Sequence, residues 1–409
     1  MEYKFSNAVV INPKESLKKG TNAKKIAMAD IQENYRFIKN FELDKFKSGT
    51  KFRNGDTLFA RITPCLENGK IAQVNILEEN EVAFGSTEFL VLRGREGVAI
   101  PDYVYYLSKW DYIKDNAIKS MTGTSGRQRV QNSIFDELVV DIPTIERQKS
   151  IVSVLNNLDY RIEINNKIIE NLEAQAQAIF KSWFVDFEPF QDGDFEESEL
   201  GLIPEGWDVN QVGKITSCKL GGTPSRKKEE FWGGEIPWIN SGAVNKERIL
   251  QGAEYITEEG LNSSSTKLLP KKTTLVAITG ATLGQVSLLE IDCCTNQSVI
   301  GILENEEMPY EFIYLFIKEN IKKIILNQTG AAQQHINLND IRTTKILIPD
   351  SSAMGLFKGL MSPIFMQIEN LYFQNQTLAQ TRDTLLPKLM SGEIDISNIK
   401  IDDEDIDYE

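Results

Sequence analysis

The 409 residues contain a single histidine, His335, and four cysteines, Cys65, Cys218, Cys293 and Cys294. A single histidine nearly excludes His-based triads and multi-His metal sites. The cysteines form no CxxC spacing, so neither a disulfide framework nor a zinc site is expected. No apolar run reaches membrane-spanning length, and the opening stretch MEYKFSNAVVINPKESLKKG has no apolar core of signal-peptide length. A reduced, cytoplasmic protein without a membrane partner is therefore expected. No Gly-rich loop of the dinucleotide or P-loop type is present. The nearest stretch, Gly280-Ala281-Thr282-Leu283-Gly284, lacks the Lys-Ser/Thr that holds phosphate. Positive charge is also short, since the formal net charge is −14.

The acid is unevenly placed. Residues 1–145 hold 21 Lys+Arg against 19 Asp+Glu, and residues 201–350 hold 15 against 18. Seven carboxylates fall between Asp186 and Glu199 and six between Asp402 and Glu409. These runs read as a solvated linker and a tail. The two nearly neutral stretches carry no whole-domain basic footprint.

What the chain does have is two heptad seams. Ile151, Leu155, Leu158, Ile162, Asn165, Ile169, Leu172, Ala176, Ile179 and Trp183 alternate spacings of four and three. Phe357, Met361, Ile364, Ile368, Leu371, Asn375, Leu378, Arg382, Leu385 and Leu389 repeat that rhythm. Each stripe predicts a long helix that needs a partner. Paired antiparallel with full overlap, facing residues have numbers summing to 540. That register sets Trp183 against Phe357 and Asn165 against Asn375, a pair that fixes register at some cost in stability. It leaves Arg382 opposite Leu158, where its side chain is expected to snorkel outward. The overlap spans about 50 Å at ~1.5 Å per residue. Pro363 lies inside the second seam and predicts a kink there or a later helix start.

A globular stretch precedes each helix, and the second repeats the first diffusely. Strand-like segments are expected at 24–31, 58–62, 70–77, 88–93 and 136–142, with a short helix from Pro101 to Trp110. Leu275–Thr279 matches Leu58–Ile62, with Ala277 on Ala60. Ile236–Ile239 is set on Ile26–Ala29, and Pro309–Ile317 on Pro101–Lys109. Thr329–Ile336 falls on Thr122–Val130 with one residue deleted. Framework positions persist while polar ones change, as in one binding fold serving two targets.

The segments predicted are a first globular domain at 1–145, a long helix at 146–186 and an acidic linker at 187–200. A second globular domain at 201–350, a long helix at 351–392 and an acidic tail at 393–409 follow. The fold class is α+β: two pseudo-repeated mixed domains separated by two long antiparallel coiled-coil helices.

Several motifs carry a family resemblance. They are Gly221-Gly222-Thr223-Pro224-Ser225, Glu235-Ile236-Pro237-Trp238-Ile239, Gly280–Gly284 and Asn296-Gln297. Glu146-Arg147-Gln148 after Ile142-Pro143, Trp183–Pro189 and Leu386–Ile394 complete the set. In this order around two long helices, the chain resembles the specificity subunit of a type I restriction–modification system. The resemblance implies a non-catalytic subunit whose two domains each read one half of a split double-stranded DNA target. With the paired helices as the spacer, their overlap of about 50 Å then sets the half-sites roughly one DNA turn apart. It further implies partner subunits: adenine methyltransferases using S-adenosylmethionine, and ATP- and Mg2+-dependent restriction subunits. No cofactor or metal is expected on this chain. Ser351-Ser352-Ala353 departs from the Glu-Arg-Gln pattern of the first copy, which predicts looser contacts there. From the residues alone, a stand-alone nuclease or methyltransferase and a protein-only scaffold stay open. The absence of an Asp/Asn-Pro-Pro-Tyr/Phe motif speaks against a methylase.

Candidate DNA contacts follow from side-chain chemistry. Arg127, Gln128 and Arg129 lie in a Gly-bounded loop and offer the forks that read guanine and adenine. Gln333, Gln334 and His335 fill the matching place. Ser225, Arg226, Lys227 and Lys228 form a basic turn suited to phosphate. Arg61 and Thr63 extend the strand frame that Thr279 matches, and Thr279 reads as support for the sheet edge. A solvated loop, or phosphate contact without readout, is the plainer alternative for each. Trp238 reads as core, and Trp183 as seam or partner contact. Glu369–Gln374 resembles a viral protease site used in cloning, placed on the heptad either by chance or by grafting.

Overall fold

The computed structural model describes residues 2–33, 35–124, 126–326 and 335–396. The chain divides into two compact units, Met1–Ile164 with Asn375–Glu409, and Asn165–Gln374. Two 40-residue helices, Ile145–Phe184 and Ser351–Met390, each contribute one part to each unit. Among the described residues no helix is long and apolar enough to cross a membrane.

The first unit holds strands β1 (Glu2–Lys4), β2 (Val9–Ile11), β3 (Asn22–Ile26), β4 (Glu42–Lys45), β5 (Thr50–Phe52), β6 (Thr57–Ala60), β7 (Ile71–Gln73), β8 (Ala83–Gly85), β9 (Phe89–Gly94) and β10 (Val139–Asp141). They form two sheets of four, ordered β2-β9-β6-β7 and β4-β3-β8-β5, plus the pair β1-β10. β6 reads Thr-Leu-Phe-Ala and is buried at all four positions, because both its faces are covered. Pro101 opens the Pro101–Lys109 helix, where its missing N–H costs nothing.

The acidic stretch expected to be a solvated linker is partly ordered. β11 (Phe195–Ser198) and β12 (Gly201–Pro204) make a hairpin. Phe187 and Phe190 pack edge-on against Trp207, with centroids 6.0 and 4.8 Å away. Aromatics interleaved with the carboxylates thus anchor what charge alone would leave in water.

The second unit continues with β13 (Asp208–Gln211), β14 (Cys218–Leu220), β15 (Trp232–Ile239), β16 (Arg248–Ile249), β17 (Glu254–Ile256), β18 (Leu268–Leu269), β19 (Thr274–Ala277), β20 (Val286–Leu289), β21 (Cys293–Thr295), β22 (Val299–Ile302) and β23 (Lys345–Ile348). Its sheets run β14-β22-β19-β20-β16 and β17-β15-β21-β18, with β13 paired to β23. Apart from the added β16 and the β11-β12 hairpin, this is the topology of the first unit strand for strand. Register agrees as well: Thr57 faces Leu92 and Gln73, as Thr274 faces Ile302 and Leu288.

The pairing corrects one match. β3 runs parallel to β8 with Ile26 opposite Gly85, and β15 runs parallel to β21 with Ile239 opposite Thr295. Ile239 therefore corresponds to Ile26, three residues from where the Ile236–Ile239 match set it. Several strand expectations are also shortened: that at 70–77 is Ile71–Gln73 alone, and that at 58–62 ends at Ala60. Residues 28–30 form a 3-10 turn after β3, and Ile134–Glu137 is a helical turn before β10.

Within each unit the helical segments pack antiparallel along the seams. In the second, Trp183 lies 6.0 Å from Phe357, ring to ring, and Ile169 packs with Ile368 and Leu371. The second helix starts at Ser351, so Pro363 does not set its start. The carbonyl that Pro363 leaves unbonded is that of Gly359, on an exposed stretch where water can serve it. Asp350 caps this helix, its Oδ1 accepting from the Ser352 and Ala353 amides, while Trp207 Nε1 donates to its Oδ2. In the first unit the corresponding lock is buried Gln148, which donates to Val98 and Pro143 carbonyls and accepts from the Ile100 amide. Leu371 of Glu369–Gln374 is buried in the seam, and Glu369 pairs with Lys272 at 2.8 Å.

Arg382 does not snorkel out. It is 1% exposed, and its Nη1 donates to Asp159 Oδ1 at 2.5 Å while Nε donates to Asp383. Asp159 is itself 4% exposed and accepts from the Tyr106 hydroxyl at 2.7 Å. The 540 register brings Leu158 level with Arg382, and the long side chain reaches the carboxylate next to it. Arg382→Leu should lower stability by ~3–5 kcal/mol, because it strands a buried carboxylate. Asp159→Leu added to it should restore most of the loss, as thermal unfolding of the two variants will measure.

Candidate nucleic-acid interface

The loop after the Asp111–Lys119 helix folds back onto the end of β6. The Val130 amide donates to the Arg61 carbonyl at 2.8 Å, and the Thr63 amide to the Gln128 carbonyl at 3.0 Å. Thr63 Oγ1 returns the link by accepting from the Gln128 amide at 3.0 Å. The Arg61 amide reaches the Glu88 carbonyl at 3.0 Å. Gly123 and Gly126 take positive φ of 134° and 76°, and a Cβ on Gly123 would meet the Arg127 carbonyl at 2.8 Å. Glycine is required there for the loop to close.

This frame brings Arg61, Thr63, Gln128 and Arg129 together and leaves Arg127 exposed at the turn. Thr63 is buried and acts as the latch. Arg129 presents its fork to Glu88, at 2.9 Å from Nε and 2.6 Å from Nη2. Hydrogen bonding from Arg129 holds the Glu88 carboxyl below its usual range, against the cost of partial burial, and Arg61 adds to the effect. Glu88 was not singled out from the sequence. It lies 41 residues from Arg129, and only the sheet joins them.

The second unit builds the same frame from different side chains. The Ile336 amide donates to the Ile278 carbonyl at 3.1 Å, and the Ile278 amide to the Ser298 carbonyl at 3.0 Å. By these bonds Ile278 stands where Arg61 does, Ser298 where Glu88 does, and His335 where Arg129 does. A charged trio in one unit is an uncharged or weakly basic one in the other. His335 is exposed, and Gln333 and Gln334 lie outside the described residues. Thr279 is half-buried and leads into the 3-10 turn Gly280–Thr282.

The turn at Ser225–Lys228 is exposed, but its arginine is engaged. Arg226 forms a two-pronged ion pair with Glu254, one contact at 2.7 Å, and stacks 3.6 Å from the Trp232 ring centroid. The Arg226 bonds hold the Glu254 carboxyl low. Lys228 lies 4.5 Å from the Phe231 ring, and Lys227 is exposed. Trp238 is buried, and its Nε1 donates to the Gly222 carbonyl at 3.1 Å. A Cβ on Gly221 would lie 2.3 Å from the Asn296 carbonyl, and one on Gly222 2.6 Å from the Thr266 amide. The Gly-Gly-Thr-Pro-Ser motif is thus a close backbone crossing, tied off by Thr223 Oγ1 donating to Gln297 at 2.6 Å. Among the described residues, no group of three or more His, Cys, Asp or Glu is placed to hold a metal.

Asn165 is the first residue of the second unit and donates to Gln374 there at 3.5 Å. Asn375 opens the C-terminal segment of the first.

A paired α+β repeat carrying one loop frame with two sets of side chains is a recognition architecture. The family model described as the type I restriction modification DNA specificity domain matches residues 8–174 and again 204–371. The chain belongs to this family. It is 27% identical to the specificity subunit of the type I restriction enzyme HindI of Haemophilus influenzae, over 84% of this chain and 87% of that protein. It is 29% identical to the MjaIX specificity subunit of Methanocaldococcus jannaschii, over 75% and 71%. Among solved structures, the S subunit of a type I restriction–modification system from M. genitalium shares the fold, with a TM-score of 0.53 at 16% identity over 97% of this chain and 96% of that one.

Thr63→Ala should free the Gln128 amide while keeping the fold. The net cost is about 1 kcal/mol, and the readout is faster hydrogen exchange confined to the loop at 122–130.

Proposed function

We propose that this chain is the non-catalytic DNA-recognition subunit of a type I restriction–modification system, with each globular domain reading one half of a split double-stranded target. The observation that carries the reading is the shared frame: Arg61, Glu88 and Arg129 in one domain, Ile278, Ser298 and His335 in the other. A backbone held constant beneath changed side chains presents two different readers from one scaffold. The partners are adenine-methylating subunits, which bring S-adenosylmethionine, and restriction subunits, which bring ATP and Mg2+. The chain itself holds none of these and works in the cytoplasm.

Roles within the loops follow from how each side chain is held. Glu88 takes the Nε–Nη2 edge of Arg129, and the guanidinium held in this way keeps its Nη1–Nη2 edge for a base, with Gln128 beside it. Arg127 is exposed at the turn, in no ion pair among the described residues, and suits phosphate, as do Lys227 and Lys228. Gln333, Gln334 and His335 are the corresponding readers of the second domain. Thr63 supports the loop, and Arg61 adds charge beneath it.

Replacing residues 1–145 with the matching domain of a relative should change one half of the methylated motif and leave the other, as methylome sequencing of cells carrying the system will show. A change in both halves, or in neither, refutes independent readout. Arg129→Ala should relax one motif position by ~1–3 kcal/mol. Arg127→Ala should weaken all sequences alike and reduce the salt slope by about 1. The purified chain alone should neither methylate nor cleave DNA, with all three cofactors present. Activity there would restore the enzyme reading.

A further inference from the structure

The two domains differ in charge over one matched region. From β2 to the end of β5, residues 12–52, there are 10 Lys+Arg against 5 Asp+Glu. The topologically equivalent residues 221–269 hold 6 against 7. The excess gathers at one end of the β4-β3-β8-β5 sheet. There the Gly20 amide donates to the Phe46 carbonyl and the Phe46 amide to the Thr21 carbonyl, each at 2.8 Å, and Asn22 sits opposite Lys45. Lys18 and Lys19 thereby meet Lys45 and Lys47. Phe46 between the latter two is buried against Phe84, at 5.2 Å between centroids, while all four lysines are exposed. None of them is in an ion pair among the described residues. The nearby carboxylates, Glu42 and Asp44, are taken by Lys25 at 3.2 and 3.3 Å.

We propose that Lys18, Lys19, Lys45 and Lys47 form a surface for the phosphate backbone of double-stranded DNA, larger than the Lys227–Lys228 turn that the second domain carries in the matched connection. The inference rests on the DNA-recognition reading above. β3 separates this cluster from the reading loops, since its far end at Ile26 pairs beside Gly85 and leads to Ser86 and Glu88. Its five residues span about 13 Å at ~3.3 Å per residue. That is roughly four base-pair steps at ~3.4 Å per strand phosphate. The cluster is thus placed to hold backbone away from the bases the loops read. The first domain then supplies the larger share of sequence-independent affinity.

A competing role is edge protection. β4 is an edge strand with Leu43 66% exposed, and lysines discourage such an edge from pairing with another copy. One lysine on the strand suffices for that, whereas three of the four lie on or beyond its flanks.

The test uses the full chain assembled with its methyltransferase partner, carrying K18Q, K19Q, K45Q and K47Q together. Binding to a duplex bearing the methylated motif and to a scrambled duplex is measured across salt. The expected result is weaker binding to both duplexes, a salt slope lower by about 3 to 4, and an unchanged methylated motif. Arginine at the same four positions should restore the slope. An unchanged slope overturns the proposal, and self-association appearing with it assigns the lysines to edge protection. Loss of motif preference with unchanged binding to the scrambled duplex also overturns it, by making them base readers. A wild-type complex with no preference for its motif would instead sink the recognition reading itself.

Discussion

A buried carboxylate, Asp159, is the point on which the first unit turns. It lies on the first long helix, binds Arg382 from the second, and accepts from Tyr106 of the globule. An apolar seam can join two helices but cannot fix a globule at one angle, because apolar contacts are non-directional. A charged pair with a hydroxyl on it has one good geometry and a steep penalty for any other. The second unit uses the same device with other residues. Arg248 of β16, fully buried, donates to Glu173 of the first long helix at 2.7 Å, and its guanidinium lies over Tyr314. Lys272 bridges Glu290 and Glu369 close by, at 2.5 and 2.8 Å. In both units a globule is keyed to its helices by buried charge.

This keying explains why the loops can differ between the two units while the scaffold stays. Glu88 and Arg129 are bound to each other at the surface, and the frame beneath them is backbone to backbone. Side chains can change there without touching the bonds that close the loop. Gly221 and Gly222 are the opposite case. They sit where two backbones cross, so that change there is blocked by shape rather than by any ligand.

The helices were legible in the sequence because a heptad is local: ten positions at four-three spacing suffice to see it. The repeat was legible for a similar reason, since buried strands such as Thr57–Ala60 and Thr274–Ala277 keep the same apolar run. What could not be read is contact between distant residues. Arg382 looked like a misfit because its partner is 223 residues away and one position off the seam. Glu88 carried no local mark at all. The three-residue shift at Ile239 comes from aligning a short apolar run, whose register is set by the strands paired with it and not by its own residues. Acidic composition between 187 and 200 masked the aromatics that order it.

The run Glu369–Gln374 has the letters of a protease site but the wrong shape for one. Proteolysis acts on backbone that has opened, and here the six residues are wound inside a 40-residue helix with Leu371 in the seam. Exposing them would mean melting several turns and breaking the Lys272–Glu369 bridge. A removable affinity tag joined to this protein through the same six-letter site would therefore be cut at the linker, while the body of the folded chain came through whole.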